Sequence, residues 1–202
     1  YIYTMTIAVI NYDQGNLFSI INALKFFNLN FIVTNKKTEI QNCSQILIPG
    51  VGAYDKTIKS LERLNLLEVI KKEAYNKKKI VGICVGMQIL SDNGNEGEWT
   101  EGLGLIKGQV ERLPITKGLK IPNINWQKLK YNDQTSIYNS EMVYFLHSYF
   151  MRTEDKNIVS YINYGDLKVP AIVKCMNVWG IQFHPEKSGK IGLAILKEIL
   201  EK

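Results

Sequence analysis

Cys84 stands between two glycines, Gly82 and Gly86, in the segment KIVGICVGMQIL at positions 79–90. A thiol in such a place is a buried structural group, a metal ligand or a nucleophile displayed on a sharp turn. The pattern G-x-C-x-G, which follows a strand-like run and precedes a helical one, has the form of a nucleophile elbow with cysteine in the serine position. It also fits a buried cysteine on an ordinary strand-to-helix turn, so this segment alone leaves both interpretations open.

The elbow hypothesis makes physical demands that the segment meets. Gly82 and Gly86 allow the strand and the helix to approach each other without a Cβ clash. The partial positive charge at a helix N-terminus favours the thiolate of Cys84, which is the nucleophilic form. The amide of Val85, at the start of the helix, is then expected to bind an oxyanion.

A candidate base occurs far away in the chain. The sequence has two histidines, His147 and His184, and His184 stands two residues before Glu186 in WGIQFHPEKS. Residues i and i+2 project to one face of an extended chain, and Pro185 favours the extended form. A carboxylate beside an imidazole fixes its tautomer and stabilises the imidazolium. The same three residues also suit a plain polar strand end, and only a fold can bring His184 to Cys84.

Strand-like runs alternate with helical patterns through the first half of the chain. The predicted strands are Thr6–Ile10, 31–33, Gln45–Ile48 and Lys79–Ile83, and apolar residues at helical spacing follow from Leu17 and from Ile58. This alternation predicts an α/β fold, a three-layer αβα sandwich with a mostly parallel central sheet. Cys84 then lies at the carboxyl end of a strand, where such sheets place their sites.

The second half has a different pattern. Residues 91–108 are rich in glycine and predict a loop, and short alternating runs from Gln109 onward predict antiparallel hairpins appended to the sheet. Apolar spacing predicts a terminal helix over Gly189–Glu201. We expect residues 1–202 to form one domain.

Composition excludes several classes of protein. With 202 residues, 46% hydrophobic and 22% charged, the chain has ample material for a core. No apolar run approaches a membrane span and no signal-peptide pattern is present, so we expect a cytoplasmic protein without a membrane partner. The net charge of +6 comes from scattered lysines. It therefore predicts a solvated basic surface and no nucleic-acid partner.

The cysteines do not form a framework. Cys43, Cys84 and Cys175 are widely spaced and include no C-x-x-C pair, which argues against disulfides and a structural zinc site. Cys43 and Cys175 lie neither in an elbow nor beside a base, and we expect both to be inert. We interpret His147 as a structural or interface-lining residue.

Two motifs taken together, GICVGMQIL and GIQFHPEKS, resemble those of class I (triad-type) glutamine amidotransferases, and the similarity spans essentially the whole chain. More narrowly, NYDQGNLFSI, IPGVGAYD, IPNINWQ and YFLHSYF resemble, in this order, the glutaminase subunits of imidazole glycerol phosphate synthase. The resemblance implies that Cys84 attacks the carboxamide of glutamine, that His184 shuttles the proton and that Glu186 orients His184. No metal or organic cofactor is implied.

The resemblance also assigns binding residues. It implies an oxyanion hole made by Val51, Gly52 and Val85, in which the PGVG loop rotates before it donates. The residues implied to hold the amino-acid end of the substrate are Gln88, Glu96, Ser148 and Tyr149. Taken without the resemblance, Gln88 fits a solvent-facing helix position, Glu96 a loop charge, and the segment HSY ordinary strand polarity.

The implied partner is a synthase subunit, a (β/α)₈ cyclase of histidine biosynthesis that receives ammonia in a heterodimer. Two segments depart from that family. Its Asp-Tyr-Gly-x-Gly-Asn is NYDQGN at 11–16, and its Pro-His-x-Gly-Trp-Asn is PNINWQ at 122–127. Both segments lie towards the synthase subunit in the family, so the glutamine chemistry is expected to be intact while the ammonia acceptor stays open.

Three alternatives follow. One is a paralogous glutaminase that supplies another amidotransferase, such as one that builds amidino sugars of surface glycans. Another is a cysteine peptidase or deglycase of related fold, which acylation by glutamine analogues in preference to peptides would separate. The third is a non-catalytic regulatory subunit, which the presence of all three triad residues disfavours.

Overall fold

The structure, a computed structural model, describes residues 5–12, 17–50, 52–115 and 117–201. The helices in these ranges are α1 (Leu17–Phe26), α2 (Lys37–Asn42), α3 (Tyr54–Arg63), α4 (Leu67–Tyr75), α5 (Val85–Gln88) and α6 (Gly189–Glu201). The strands are β1 (Thr6–Ile10), β2 (Asn30–Thr34), β3 (Gln45–Ile48), β4 (Lys79–Ile83), β5 (Asn93–Gly94), β6 (Thr100–Glu101), β7 (Gly108–Arg112), β8 (Asn123–Lys128), β9 (Lys130–Tyr131), β10 (Met142–His147), β11 (Tyr149–Thr153), β12 (Ile158–Tyr164), β13 (Leu167–Cys175) and β14 (Val178–Ile181). None of the helices in these ranges is long and apolar enough to cross a membrane.

Eight strands form the central sheet in the order β2-β1-β3-β4-β14-β13-β12-β9. The five strands from β2 to β14 are parallel neighbours. The three that follow, β13, β12 and β9, are antiparallel. Beside this sheet lie an antiparallel pair, β8 with β10, and a small four-stranded sheet in the order β11-β7-β5-β6. The predicted α/β sheet with appended antiparallel strands is confirmed.

Successive residues of a strand pack alternately into two hydrophobic cores, one on each face of the sheet. Ile7 and Val9 of β1 pack in the same core as the buried residues of α1 and α6. Ala8 and Ile10 belong to the other core, which holds the buried residues of α2, α3 and α4. Successive side chains of a strand point to opposite faces, so a sheet that is apolar on both faces requires helices on both. The predicted three-layer arrangement is confirmed.

Two predicted elements differ from the structure. The helical run expected after Cys84 forms a helix of only four residues, which ends at Gln88 because the amides of Leu90 and Ser91 donate to carbonyls only three residues back, those of Met87 and Gln88. Such bonds tighten the last turn of a helix. The predicted loop at 91–108 contains the short strands β5 and β6, and β5 pairs with β7.

Candidate active site

Neighbouring parallel strands deliver the predicted site residues to one edge of the sheet. Cys84 follows β4 directly, the loop from Pro49 to Gly52 follows β3, and His184 stands three residues after β14. Because the carboxyl ends of parallel strands share an edge, the topology brings together segments that are 100 residues apart in sequence. One cavity of about 220 Å³ is lined by Gly52, Cys84, Val85, Gln88, Glu96, Pro122, Leu146, His147, Ser148, Tyr149 and His184.

The backbone at Cys84 is held in a conformation that few non-glycine residues adopt, with φ 54° and ψ −115°. Such a conformation costs on the order of 1–3 kcal/mol and requires surroundings that enforce it. Those surroundings are backbone. A Cβ on Gly82 would lie 2.2 Å from the carbonyl oxygen of Gly86, and a Cβ on Gly86 would lie 2.1 Å from that of Ile48. The two glycines therefore allow β3, β4 and α5 to close on one another, and Cys84 projects from the resulting turn.

His184 and Glu186 form a buried pair. Nδ1–H of His184 donates to Oε1 of Glu186 at 2.9 Å, and the two side chains are only 2% and 7% exposed. The extended path predicted for these residues is wrong, because Pro185–Lys187 form a 3-10 turn that brings Glu186 back onto the imidazole. Proline suits the first position of such a turn, since its φ is fixed near the helical value.

The protonation of His184 follows from its two neighbours. Burial by itself would lower the pKa of His184. Hydrogen bonds and electrostatic attraction from Cys84 and Glu186 outweigh burial and raise the pKa above its ordinary value of 6.5. Because Nδ1 is committed to Glu186, Nε2 is the ring nitrogen left to interact with Cys84.

Ser188 fixes the backbone that carries His184. Its hydroxyl donates to the carbonyl of His184 at 2.7 Å and accepts from the amide of Tyr144 at 2.9 Å. The amide of His184 in turn donates to the carbonyl of Tyr144 at 3.0 Å. These bonds tie the His184 turn to β10. The sequence alone does not predict this role for Ser188, since its partner on β10 is 44 residues away.

The structure describes two of the three residues predicted to form the oxyanion hole, Gly52 and Val85. Gly52 lines the cavity and has a φ of 123°, a backbone conformation that favours glycine. Val85 is the first residue of α5, and amides in a first helical turn have no partner four residues back. Tyr12 donates its hydroxyl to the carbonyl of Pro49 at 2.5 Å and so anchors the start of the loop. Val51 lies outside the described residues, as do 13–16 of the NYDQGN segment.

Gln88 is buried beside the Cys84 turn and does not face solvent. Its Nε2 donates to the carbonyl of Tyr149 at 2.8 Å and to Oε1 of Gln182 at 3.1 Å. Gln182, which is fully buried, places its own Nε2 3.9 Å from Sγ of Cys84. Gln182 was not predicted as a site residue, although it precedes His184 by two residues in GIQFHPEKS and follows the same strand.

Comparison with known proteins identifies the family. The family model for class-I glutamine amidotransferases matches residues 8–201. The chain belongs to this family. The imidazole glycerol phosphate synthase subunit HisH of Listeria monocytogenes is 40% identical over 198 residues, which cover 96% of this chain and 95% of that protein. The subunit of the same name from Lactococcus lactis is 40% identical over 199 residues, 96% of this chain and 98% of that one.

Solved structures show the same fold at low identity. A crystal structure of a glutamine amidotransferase has a TM-score of 0.75 and 18% identity, covering 96% of this chain and 99% of that chain. PurLQS from Thermotoga maritima has a TM-score of 0.73 and 21% identity and covers 98% of both chains. At these identities the likeness shows the amidotransferase fold alone.

Glu96 contacts both the cavity and the start of α3. It lines the cavity, and its Oε2 accepts a hydrogen bond from the amide of Tyr54 at 3.0 Å, at the first residue of α3. Burial is the main reason that the pKa of Glu96 is raised, and the bond from Tyr54 opposes that rise. Ser148 and Tyr149 are half-buried and line the same cavity.

Cys43 and Cys175 are not among the residues that line this cavity. Cys43 is buried, and burial raises the pKa of its thiol. Among the described residues, no group of three or more His, Cys, Asp or Glu is arranged to hold a metal ion. A larger cavity of about 400 Å³ lies beside α6, and its lining includes Tyr138, Trp179 and Glu198 but neither cysteine nor histidine.

Proposed function

We propose that this class-I amidotransferase hydrolyses L-glutamine to glutamate through a thioester on Cys84 and passes the ammonia to a synthase subunit. The observation that carries the proposal is the strained Cys84 turn, which shares one cavity with His184, the hydrogen-bond partner of Glu186. The two relatives described above are both named as subunits of imidazole glycerol phosphate synthase. They support imidazole glycerol phosphate as the product of the complex and histidine biosynthesis as the pathway. The central sheet, with one core on each face, supports a single amidotransferase domain.

The proposed reaction starts from an ionised sulfur beside an imidazolium. Sγ of Cys84 attacks the carboxamide carbon of glutamine, and the C–N bond breaks as Nε2–H of His184 gives its proton to the departing ammonia. His184, now neutral, takes a proton from a water molecule that attacks the thioester. Glutamate leaves, and the sulfur is released as the ion. Glu186 holds the ring through Nδ1 and stabilises the imidazolium in both half-reactions.

The tetrahedral intermediates need hydrogen-bond donors for their oxyanion. We assign the amide of Val85 to this role, together with the loop that contains Val51 and Gly52. Tyr12 holds Pro49 at the start of that loop, while Gly52 can adopt backbone conformations of either φ sign, so rotation of the intervening peptide is the proposed switch. Such a switch would keep hydrolysis slow until the acceptor subunit is ready.

The amino-acid end of glutamine is proposed to lie against Gln88, Glu96, Ser148 and Tyr149. All four line the cavity around Cys84. A carboxylate and a carboxamide suit the α-ammonium group, whereas hydroxyl and backbone N–H groups suit the α-carboxylate. A cavity of about 220 Å³ suits a single amino acid better than a peptide, which disfavours the peptidase alternative.

The proposed partner is a (β/α)₈ cyclase that docks on the outer face of the β8–β10 pair, in the cytoplasm. Ile124, Trp126 and Met142 are 55%, 46% and 40% exposed on this face. Its inner residues Val143 and Phe145 are fully buried, which is the alternation expected for a strand covered on one side. Pro122 and Leu146 of the same region line the cavity, so a partner seated there would lie next to the ammonia source.

The test is glutamate release from L-glutamine by the wild type and by Cys84→Ala, each with and without a cyclase subunit and its acceptor nucleotide. We expect release that depends on Cys84 and rises at least tenfold with the cyclase and nucleotide together. Release without Cys84 would contradict the glutaminase assignment. Cys84-dependent release that the cyclase leaves unchanged would retain the glutaminase and favour another acceptor enzyme, such as one that builds amidino sugars.

A further inference from the structure

A line of buried hydrogen bonds connects β8 with the cavity. Nδ2 of Asn123, at the start of β8, lies 3.0 Å from Nε2 of His147 and 3.1 Å from Oε1 of Gln127. Nδ1 of His147 lies 2.9 Å from the carbonyl oxygen of Tyr149. Asn123 and His147 are only 5% and 6% exposed, so these bonds are shielded from water. The same Tyr149 oxygen accepts from Gln88.

The chemistry of each atom fixes the direction of these bonds. A carbonyl oxygen can only accept, so Nδ1 of His147 carries a hydrogen and donates it to Tyr149. Nε2 then accepts from Asn123, and the imidazole is neutral. Burial is the main reason that the pKa of His147 is lowered to about 4. The hydrogen bond to Tyr149 acts in the opposite direction, and the nearby charge of His184 lowers the pKa further. A neutral ring with one defined tautomer is thus held at the cavity wall.

This arrangement determines which atom Gln88 presents to a ligand. Both hydrogens of its Nε2 are committed, one to Tyr149 and one to Gln182. The carboxamide therefore has only its Oε1 left to offer, and Oε1 is an acceptor. If the carboxamide rotated by 180°, it would turn a donor into that position and bring its oxygen towards the Tyr149 carbonyl. The Tyr149 carbonyl, held by His147, keeps Gln88 in the accepting orientation.

We propose that His147 is a positioning residue for glutamine: its Nδ1–H holds the Tyr149 carbonyl, which orients Gln88 to accept a hydrogen bond from the α-ammonium group of the substrate. This inference rests on the proposed function. His147 itself acts through Tyr149 and Gln88 and takes no proton in the reaction. Asn123 supports the tautomer from the other side of the ring.

Three substitutions of His147 separate the two ends of the ring. His147→Asn places an amide nitrogen near the position of Nδ1 and retains the donor to Tyr149. His147→Gln places its amide near the position of Nε2 and retains only the contact with Asn123. His147→Leu loses both. Asn125→Leu is the matched control, because Asn125 is an exposed asparagine on β8, the strand that pairs with β10, on which His147 lies.

We expect His147→Leu and His147→Gln to raise the KM for glutamine about tenfold, roughly the effect of one lost hydrogen bond, with a smaller change in kcat. His147→Asn and Asn125→Leu should keep KM within about twofold of the wild type. Circular dichroism checks that each variant is folded. An unchanged KM in His147→Leu, or an Asn variant as impaired as the Leu variant, would overturn the proposal.

Two measurements do not depend on hydrolysis. Long-range ¹⁵N–¹H spectra of the wild type, which has two histidines, should show His147 neutral with hydrogen on Nδ1 at pH 7, assigned by its loss in His147→Leu. The Nε2–H tautomer or an imidazolium there would refute the inference. Calorimetry with L-glutamine should show about tenfold weaker binding by the double variant Cys84→Ala/His147→Leu than by Cys84→Ala alone. If binding weakens in this way but the wild type does not hydrolyse glutamine, only the proposed function is contradicted. If Cys84→Ala does not bind glutamine, or if the double variant has the same Kd, the inference is contradicted.

Discussion

At the scale of single residues, His184 and His147 line the same cavity but are held in opposite protonation states. Cys84 and Glu186 stabilise the imidazolium of His184, whereas His147 has only neutral hydrogen-bond partners in Asn123 and Tyr149. Both rings are buried, so the difference comes from the charge of the neighbours. The two histidines should therefore give the stability of the protein opposite pH dependences.

For His184, the folded-state pKa lies above the ordinary value of 6.5. The folded protein then binds a proton that the unfolded chain has lost, so the stabilisation is complete below pH 6.5 and declines as the pH rises through the folded-state pKa. We expect Glu186→Gln to lower the free energy of unfolding by about 1–3 kcal/mol at pH 6.5 and to reduce its decline at higher pH. Urea unfolding between pH 6.5 and 9.5 measures this when Glu186→Gln is compared with its parent in the Cys84→Ala background, where no thiol proton accompanies the titration of His184. Parallel profiles for the two proteins would contradict the raised pKa.

For His147 the sign is reversed. Its folded-state pKa is lowered to about 4, so between this value and 6.5 the unfolded chain binds a proton that the folded protein does not. The free energy of unfolding should fall as the pH decreases through this window. His147→Asn, which cannot titrate, should show a shallower fall than the wild type in urea unfolding between pH 6.5 and 4.5. An equal slope in both proteins would mean that His147 titrates normally.

At the scale of elements, the close contact of β3, β4 and α5 determines the geometry of the cysteine turn. Gly86→Ala would place a methyl group 2.1 Å from the backbone oxygen of Ile48, which cannot move without displacing β3. We expect a loss of more than about 3 kcal/mol in the free energy of unfolding and loss of glutaminase activity. Gly118→Ala is the control. That glycine has a φ of 83° but no neighbour within 4 Å, so only conformational strain of about 1–2 kcal/mol is expected.

Chemical or thermal unfolding of both variants measures this difference. A Gly86→Ala protein as stable as Gly118→Ala would show that α5 can retreat from β3. Such a retreat would also displace Cys84, and activity should then still be lost. A stable and fully active Gly86→Ala variant would contradict the account of the turn.

The elements also show which parts of the site a sequence can predict. The buried strands and the Cys84 turn are local patterns, because apolar runs and the G-x-C-x-G spacing reflect close packing within a few residues. The shortness of α5 and the 3-10 turn after His184 depend on contacts with distant segments, such as Ser188 with β10. Gln182 and Ser188 were missed for the same reason. Their roles arise from partners that adjoin them only in the fold.

At the scale of the whole molecule, the cavity and the outer face of the β8–β10 pair lie side by side. That face carries the half-exposed Trp126, whose ring contacts Tyr144 with centroids 5.9 Å apart. An exposed tryptophan on an apolar strand face is a typical anchor of a protein interface. The segment that contains Trp126 also departs from the family pattern at Asn123, Asn125 and Gln127. The partner surface of this chain is therefore expected to have its own specificity.

If the synthase subunit docks on this face, Trp126→Ala should weaken the complex without altering the glutamine site. Loss of an anchoring tryptophan commonly costs at least ~2 kcal/mol, so the cyclase concentration for half-maximal stimulation should rise about thirtyfold or more. Partner-free glutaminase activity should not change. The control is Tyr75→Ala, which removes a 72% exposed aromatic at the end of α4, before β4 begins and so at the opposite edge of the sheet. If Trp126→Ala and Tyr75→Ala change stimulation equally, or if neither changes it, the synthase subunit docks on another face. Docking would then not take place next to the cavity.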